Sequence, residues 1–464
     1  MRLSGFWRPW TRAGLIGCAL AAGTTAVTSV TSVGPAGAGA LPAVRSAVSG
    51  HVLSIPAPGT PQLAKRGSTE QVRQLAECDG LMYAVGAFTA IEWGGKTYSR
   101  HNVFSFSATA PYQVTPWNPD ANGEVNSIAL APDCSHAWLG GSFTTVAGTP
   151  VLNIAQVSTA TGSVITSWAH QASEPVDTVL YTPNGHLLAG GKFTSINGSG
   201  RHFYASLSPV TGQDDGYLDL HVSGTYTYPG AGPNTTQAYN QQLSPDGSHV
   251  LVEGVFTSVQ GQARQQIFML DLGAHQGNVS AWNSTEFSQH CVGAHPFYIK
   301  GAAWSPDQST VYIATTGEHL DNWSGSFPLT GLCDVAAAFP STGVGGLQPT
   351  WVNYTGCDSL YSAAADASTV YVGGHERWAN NPSGCNQPGN GAIPAPGLGG
   401  FTPAGSLLTN GNRTQGRYSR ARGFGADDML RTSAGLWIAS DNFADSVTCG
   451  GVPGHAGICF LPNA

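Results

Sequence analysis

Three short polar segments hold the side chains of this sequence that are best suited to ligand binding or acid–base chemistry. They are Glu318-His319, His375-Glu376-Arg377-Trp378 and Asp441-Asn442. Carboxylates and imidazoles can move protons, a guanidinium can hold an anion, and an indole can stack on a sugar ring. Glu376 with Glu318 or with Asp441 could flank a glycosidic bond, as hydrolysis of a polysaccharide requires. Alternatively, these residues have only a structural role: Trp378 packs against its own loop, and the charged side chains are solvated or form ion pairs.

Other catalytic and metal signatures are absent or weak. The sequence has no C-x-x-C pair, no C-x-x-C-H haem site, no nucleotide-binding loop and no sialidase box of the form S-x-D-x-G-x-x-W. Asp214, Asp215 and Asp219 could offer carboxylates to calcium, but their spacing differs from that of an EF-hand. Arg420 with Arg422 could clamp an anion. We therefore predict no cofactor and no metal, and the sequence favours a binding protein over an enzyme.

Composition excludes two classes of partner. Charged residues make up 10% of the chain, the net charge is −8 and no run of basic residues occurs. Contacts with nucleic-acid phosphates need clustered lysine and arginine, so nucleic acid is not an expected partner. No stretch after residue 40 reaches the roughly 18 apolar residues that a membrane span needs.

The first forty residues have the pattern of a secretory signal peptide. Arg2, Arg8 and Arg12 precede an uncharged stretch over residues 13–33, and an Ala-Gly-Ala-Gly-Ala run follows at 36–40. We expect cleavage after residue 38 or 40 and a secreted protein, either extracellular or associated with the cell wall. A lipoprotein anchored at Cys18 is the alternative, but only five residues separate Arg12 from this cysteine, too few for the apolar core of a leader.

An internal repeat gives the strongest information on the fold. One phrase recurs: a β-run, a turn built on Pro-Asp or Pro-Asn, and a second β-run that ends in Gly-x-Phe-Thr. Seven copies begin near residues 72, 125, 176, 237, 299, 360 and 427. The first four carry the Phe of this phrase, and we expect these rings to pack between repeats. The last three copies replace it with the polar segments named above. The four rings are Phe88, Phe143, Phe193 and Phe256.

Four short strands in each repeat of this length are typical of a β-propeller blade. We predict that residues 41–464 form one all-β domain, a seven-bladed β-propeller with four-stranded blades. The seventh copy is one strand short. The β-prone residues 48–55 are expected to supply the outer strand of this last blade, which would close the ring.

The long connections are predicted to lie on one face of the propeller. They span residues 213–235, 283–298, 317–332 and 375–397, whereas the turns between the first and second strands stay short. Insertions collected on one face usually mark the binding face of a repeat protein. The polar segments of the last three blades would meet near the axis on this face and share a pocket.

Eight cysteines remain after the leader, an even number that predicts up to four disulfides in an exported chain. The blade geometry makes four pairs reachable, two of them on the long-loop face, one on the opposite face and one local. In that order they are Cys291–Cys333 and Cys357–Cys385, Cys78–Cys134, and Cys449–Cys459.

The Gly-x-Phe-Thr phrase after a Pro-Asp-Gly hairpin resembles the delta-60 type propeller repeat of secreted bacterial proteins. Residues 371–382, 420–423 and 435–441 resemble uncharacterised exported propellers of actinobacteria. The resemblance covers about residues 70–464 and implies a propeller fold and export. It implies no reaction, and the last three copies depart from the Phe-Thr pattern.

These observations favour an exported propeller that acts as a binding module. We expect it to recognise a glycan, a cell-surface or cell-wall polymer, or a protein through its long-loop face. The alternative function is an extracellular polysaccharide hydrolase or lyase that uses Glu376 and its polar neighbours. A scaffold without a small ligand is a third interpretation.

Overall fold

The computed structural model describes residues 50–65, 67–226, 234–288, 291, 297–318, 331–420, 425–442, 448–449 and 452–464. The predicted leader, Arg422 and His319 lie outside these ranges. The protein is all-β, and the one helix of the described ranges is a single 3-10 turn at Glu286–Ser288. None of the described segments forms a helix long and apolar enough to cross a membrane.

Seven antiparallel meanders, numbered here as sheets 1 to 7, account for most of the strands in the described ranges. In each sheet the strands pair in chain order, from an inner strand outwards. Sheet 1 comprises Gln71–Cys78, Leu81–Ala87 and Val103–Ser107; sheet 2 comprises Val125–Leu130, His136–Gly141 and Ile154–Ser158; sheet 3 comprises Val176–Tyr181, Leu187–Gly191 and Tyr204–Leu207. Sheet 4 comprises Gln237–Leu243, His249–Val255, Ile267–Leu272 and Gly277–Val279; sheet 5 comprises Ile299–Trp304, Thr310–Thr315, Val335–Pro340 and Trp351–Tyr354. Sheet 6 comprises Leu360–Ala365, Val370–Gly374 and Gly399–Phe401; sheet 7 comprises Ala426–Arg431, Gly435–Ser440 and Ile458–Pro462.

Short ribbons decorate the loops between these strands. They are Gln62–Leu63 with Ala90–Trp93 and Lys96–Ser99, Thr145–Val146 with Thr149–Pro150, Val222–Ser223 with Ser258–Val259 and Gln262–Ala263, Trp378–Ala379 with Ile393–Pro394, and Thr448–Cys449 with Val452–Pro453.

The inner strands of the sheets contact one another in a cycle. Each inner strand contacts those of the sheets before and after it, and the inner strand of sheet 7 contacts that of sheet 1. Meanders arranged radially around a common axis define a β-propeller.

A regular fourth strand is present in sheets 4 and 5. In sheets 1, 2, 3 and 6 the corresponding segment is reduced to one isolated bridge, for example Phe106 with Val114. Proline supplies no backbone N–H to a ladder, and Pro111 and Pro116 flank the bridge of sheet 1. The outer edge is therefore less regular than the four-stranded pattern predicted from the repeat.

Sheet 7 has a further segment along the free edge of its third strand. The Leu53 N–H donates to the Pro462 carbonyl at 2.7 Å, and the Ala464 N–H donates to the His51 carbonyl at 2.8 Å. Val52 forms an antiparallel bridge with Asn463 and is fully buried.

Every inner strand carries a β-bulge at the same place. The pairing with the second strand skips one residue, so that this extra residue is left out of the ladder. In chain order the bulge residues are Arg73, Asn126, Asp177, Tyr239, Lys300, Tyr361 and Asp427.

The glycine of Gly-x-Phe-Thr is explained by this bulge. A Cβ on Gly86, Gly141 or Gly254 would lie 2.1 Å from a carbonyl oxygen at the start of the inner strand. Gly191 and Gly374 are equally close, at 2.3 and 2.2 Å. The backbones approach so closely at the bulge that these five sheets require a residue without a side chain.

Aromatic side chains pack and latch neighbouring sheets together. The four predicted core rings, from Phe88 to Phe256, are at most 2% exposed, which confirms their packing role. A second set of aromatic residues donates hydrogen bonds from the outer part of one sheet to a carbonyl in the next sheet. These bonds join Trp117 to Ser158, Trp168 to Ser208, Tyr217 to Gly273, Trp282 to Pro340 and Trp351 to Pro403, at 2.9 to 3.3 Å.

Four disulfides link the eight cysteines that follow residue 40. They join the pairs identified above as reachable, with Cα–Cα distances of 4.7 to 5.8 Å, and are Cys78–Cys134, Cys291–Cys333, Cys357–Cys385 and Cys449–Cys459. Disulfides of this number are typical of proteins from oxidising compartments.

Substituting the bulge-facing glycine of sheet 2 tests the importance of this close approach. We expect Gly141→Ala to lower the free energy of unfolding by about 2–3 kcal/mol, because its methyl group would overlap the Glu124 carbonyl oxygen. Denaturant unfolding of both variants measures the effect. Gly200→Ala is the control, since no atom lies within 4 Å of its added Cβ. Equal stability of the two variants would contradict the explanation.

Candidate functional site

A polar cavity of about 620 Å³ lies where the inner strands surround the axis. Inner strands of all seven sheets contribute to its wall, and all seven bulge residues line it. A bulge turns its extra side chain out of the regular alternation of a strand. The repeated bulge therefore places one side chain from each sheet in the same cavity.

A second group of lining residues directly follows the second strands. Ser142, Lys192, His375 and Asp441 each occupy the variable position of the Gly-x-Phe-Thr phrase, and all four line the cavity. The next residue along the chain turns away from the cavity and is buried, as Phe143 is in sheet 2. Of two consecutive residues in the sequence, the first therefore lines the cavity and the second lies in the core.

His375 and Asp441 are the two predicted site residues that the structure brings together. The His375 Nε2 atom lies 2.7 Å from the Asp441 Oδ2 atom. The Tyr361 hydroxyl lies 3.2 Å from His375 Nδ1, and the Gly425 N–H donates to Asp441 Oδ1 at 3.1 Å. Burial lowers the pKa of His375, but the hydrogen bond with Asp441 and the negative charges of Asp441, Asp427 and Asp358 together outweigh this effect, so the pKa is raised overall.

Glu376 occupies the position that Phe has in sheets 1 to 4. Its side chain is 1% exposed and does not line the cavity. Burial raises the pKa of Glu376 well above its usual value. Because its carboxyl group is buried away from the cavity lining, it is not placed to act as the base or nucleophile of a hydrolase in this cavity.

Arg377, Trp378 and Glu318 are also outside the cavity lining. Arg377 donates to both carboxylate oxygens of Asp358 at 2.6 Å, so its guanidinium is already paired. Trp378 pairs with Pro394 in a two-residue ribbon. Glu318 lies beside the Cys357–Cys385 disulfide. Its carboxylate and the two sulfur atoms are the one group of three potential metal ligands in the described ranges, but disulfide sulfurs are not thiolate ligands.

The cavity wall has charged groups of both signs. The Arg73 Nε atom donates to Glu124 at 2.9 Å, and the Asn126 amide donates to Asp177 at 3.1 Å. The Lys300 ammonium lies 4.8 Å from the centre of the Tyr239 ring, within the range of a cation–π contact.

Desolvation shifts the pKa values of several of these groups in the direction that favours their neutral forms. Burial raises the pKa of Asp177 to about 6 and that of Asp427 to about 7. Behind the wall, burial raises the pKa of Glu253 to about 7, although the Asn240 amide donates to its carboxylate. Burial lowers the pKa of Lys300. The axial cavity therefore leaves its charged groups incompletely solvated.

The bulge residues are the part of the site that the sequence interpretation did not identify. Each directly follows a buried apolar residue near the start of an inner strand, as Arg73 follows Val72 and Asp427 follows Ala426. A polar or aromatic residue after that apolar position is the signal that could have found them.

The fold and the site together define a β-propeller with a polar axial cavity. No protein-family model matches the chain, and no curated protein sequence matches it. Two solved structures, "Structure of U3-55K" and "Crystal structure of RRP9 WD40 repeats", are similar to it, with TM-scores of 0.49 and 0.48. Each has 8% sequence identity, and the alignments cover 88% of this chain and 99% of the other.

The raised pKa of Asp427 predicts a pH-dependent stability. In the unfolded chain this carboxyl group ionises near pH 4, whereas in the folded protein it stays protonated to about pH 7. Arg73, His375 and Lys300 lower this pKa and Asp441 raises it. The folded protein therefore holds the Asp427 proton in a pH range in which the unfolded chain has released it. As a result, the free energy of unfolding falls as the pH rises from about 4 to about 7.

Asp427→Asn should remove this decrease in the free energy of unfolding. We expect its melting temperature to exceed that of the wild type by several degrees at pH 8 and by little at pH 4.5. Thermal unfolding at both pH values measures the difference. Asp79→Asn, in an exposed turn outside the cavity lining, should behave as the wild type does at both. A constant difference across this pH range would refute the assignment.

Proposed function

We propose that this protein is an exported seven-bladed β-propeller that binds a glycan in its axial cavity. The observation that carries the proposal is the ring of seven bulge side chains, which all line one cavity. The seven bulge positions hold several different residue types, whereas the backbone around them has the same geometry in every sheet. Such variation on a constant scaffold is expected where side chains select a ligand and the fold only positions them.

The chemistry of the lining favours a carbohydrate. Asparagine, glutamine, aspartate, arginine and lysine offer hydrogen-bond donors and acceptors suited to sugar hydroxyls. Tyr239 and Tyr361 add two aromatic rings from different sheets, and such rings can pack against the apolar face of a sugar. Among the described residues, the lining lacks the clustered cations that a polyphosphate would need.

The cavity also fits the predicted binding face. Its wall is formed where inner strands begin and second strands end. The connections 213–235 and 283–298 lead into inner strands, and 317–332 and 375–397 follow second strands. Parts of the first three connections lie outside the described residues. We propose that the long connections surround the mouth of the cavity.

Export of the chain is part of the same proposal. The leader predicted over residues 1–40 would direct secretion, and the four disulfides suit an oxidising destination. The hydrolase alternative loses its main support, because Glu376 is buried outside the cavity lining.

A blocking substitution tests whether the cavity binds a glycan. Ser142 is exposed at the cavity wall and its hydroxyl makes no hydrogen bond with a described residue, so Ser142→Trp should fill the mouth without disturbing the fold. On a glycan array we expect the wild type to bind at least one glycan, and the variant to lose at least about tenfold in affinity, the loss of roughly 1.4 kcal/mol.

Ser99→Trp is the matched control, because Ser99 is exposed and does not line the cavity. It should bind as the wild type does, and both variants should keep the wild-type melting temperature. No glycan bound by the wild type would favour the scaffold interpretation. Undiminished binding by Ser142→Trp would place the ligand elsewhere.

We further propose that residues 48–55 supply the outermost strand of the seventh blade. The hydrogen bonds of His51 and Leu53 with the end of sheet 7, together with the buried Val52, support this closure. Deleting residues 41–58 should lower the melting temperature by several degrees, because it exposes the apolar edge of sheet 7. Ile55→Ser, at a side chain that is 74% exposed, should leave the melting temperature unchanged. A deletion variant as stable as the wild type would exclude the closure.

A further inference from the structure

We propose that Tyr361, His375 and Asp441 form a catalytic relay with which the protein hydrolyses the glycan bound in its axial cavity. This inference rests on the proposed function and adds a reaction to it. Tyr361 is the nucleophile, and His375 is the base that accepts and returns its proton. Asp441 is a positioning residue that orients the imidazole.

The three side chains form one continuous series of hydrogen bonds on the cavity wall. The Tyr361 hydroxyl lies 3.2 Å from His375 Nδ1, and His375 Nε2 lies 2.7 Å from Asp441 Oδ2. All three residues line the cavity, and the His375 side chain is 37% exposed. A nucleophile within hydrogen-bond reach of a base, which a third group orients, is the geometric signature of nucleophilic catalysis.

The backbone fits closely around this relay. The Gly425 N–H donates to Asp441 Oδ1 at 3.1 Å. A Cβ on Gly425 would lie 2.5 Å from Asp441 Oδ2 and 2.6 Å from His375 Nε2. A residue with a side chain would therefore displace the pair, and the glycine lets the backbone hold the imidazole and the carboxylate in one arrangement.

The pair of His375 and Asp441 differs from three other His–Asp pairs in the described ranges. In those pairs the aspartate contacts Nδ1 and the histidine lies outside the cavity lining, whereas Asp441 contacts Nε2 and leaves Nδ1 to Tyr361. The other pairs are His101–Asp120, His186–Asp215 and His249–Asp271.

The electrostatic surroundings suit proton transfer from Tyr361 to His375 during a reaction. Asp441 accepts the Nε2 proton, so the neutral imidazole presents the lone pair of Nδ1 to the phenol. Burial lowers the pKa of His375, but Asp441, Asp427 and Asp358 raise it overall, which stabilises the imidazolium that forms. Burial and the charges of Asp427 and Asp441 raise the pKa of Tyr361 to about 12, so the phenol keeps its proton until the substrate reacts.

These surroundings favour glycosides over esters. Hydrolysis of a glycoside passes through a transition state with positive charge on the sugar, whereas ester hydrolysis builds up an oxyanion. The charges of Asp427 and Asp441 act on Tyr361, so they stabilise the first kind of transition state and disfavour the second. The substrate class is therefore a neutral glycan.

The reaction has two steps in which every proton and bond is accounted for. The Tyr361 oxygen attacks the anomeric carbon and passes its proton to His375 Nδ1, while the glycosidic C–O bond breaks. The leaving oxygen keeps the electron pair and takes the proton from His375. Water then attacks the same carbon and gives a proton to His375, the bond to Tyr361 breaks, and His375 returns the proton to the Tyr361 oxygen. Two displacements retain the configuration of the sugar.

A panel of methylumbelliferyl glycosides tests the inference. It comprises both anomers of the glucoside, galactoside, mannoside and N-acetylglucosaminide. We expect the wild type to release the fluorescent product from at least one of them, and kcat to fall at least about 100-fold in Tyr361→Phe and in His375→Gln. Tyr98→Phe, the same change at a residue outside the cavity lining, should keep the wild-type kcat.

Two further measurements separate catalysis from a structural role of the relay. The wild-type kcat/KM should decrease as the pH is lowered through the pKa of His375, since a protonated imidazole cannot accept the phenol proton. A sugar with fluorine beside the anomeric carbon and a dinitrophenyl leaving group should trap the glycosyl intermediate, and mass spectrometry should find the added mass on the peptide that contains Tyr361. The melting temperature of Tyr361→Phe should stay close to that of the wild type.

Three outcomes overturn the inference. They are no hydrolysis of any panel member or of a glycan captured on the array, retention of activity by Tyr361→Phe, and a trapped sugar on another residue. The proposed function is judged separately by the Ser142→Trp variant. A glycan that binds in the cavity and is not cleaved would leave the binding module and remove only the reaction.

Discussion

The close approach of two strands at one bulge in each sheet is the constraint on which the structure depends. The extra residue of the inner strand leaves the ladder, and in five sheets the residue opposite must be glycine because a Cβ would meet a carbonyl oxygen at 2.1 to 2.3 Å. The same distortion turns the extra side chain towards the axis. One local backbone rule thus accounts for a recurring glycine in the sequence and for the lining of the cavity.

This arrangement separates the residues that hold the fold from those that can vary. The Phe position after the glycine is buried between sheets, and the outer aromatic residues bond to the following sheet. The bulge position of every sheet lines the cavity, as does the residue directly after the second strand in sheets 2, 3, 6 and 7. With charged residues at only 10% of the chain, the charged side chains that line one cavity are a notable share of the total.

The repeat was sufficient to predict an all-β propeller, because glycine, phenylalanine and the Pro-Asp turn act through local geometry. The site was predicted only in part. His375 and Asp441 line the cavity as expected, whereas Glu376 takes the buried Phe position one residue later. Which of two consecutive residues faces the axis depends on the strand register. Asp427 and the other bulge residues were missed for a related reason, since a bulge is a property of two paired strands and a single strand shows only a polar or aromatic residue after an apolar one.

The aromatic latches between sheets have a direction. In every case described, from Trp117 to Trp351, the donor belongs to the earlier sheet and the acceptor carbonyl to the next sheet along the chain. An interface of this kind is completed only after the later sheet has formed its turn. Each of these sheets therefore depends for its outer packing on a turn that the following sheet supplies, so that a change in one turn affects the sheet before it.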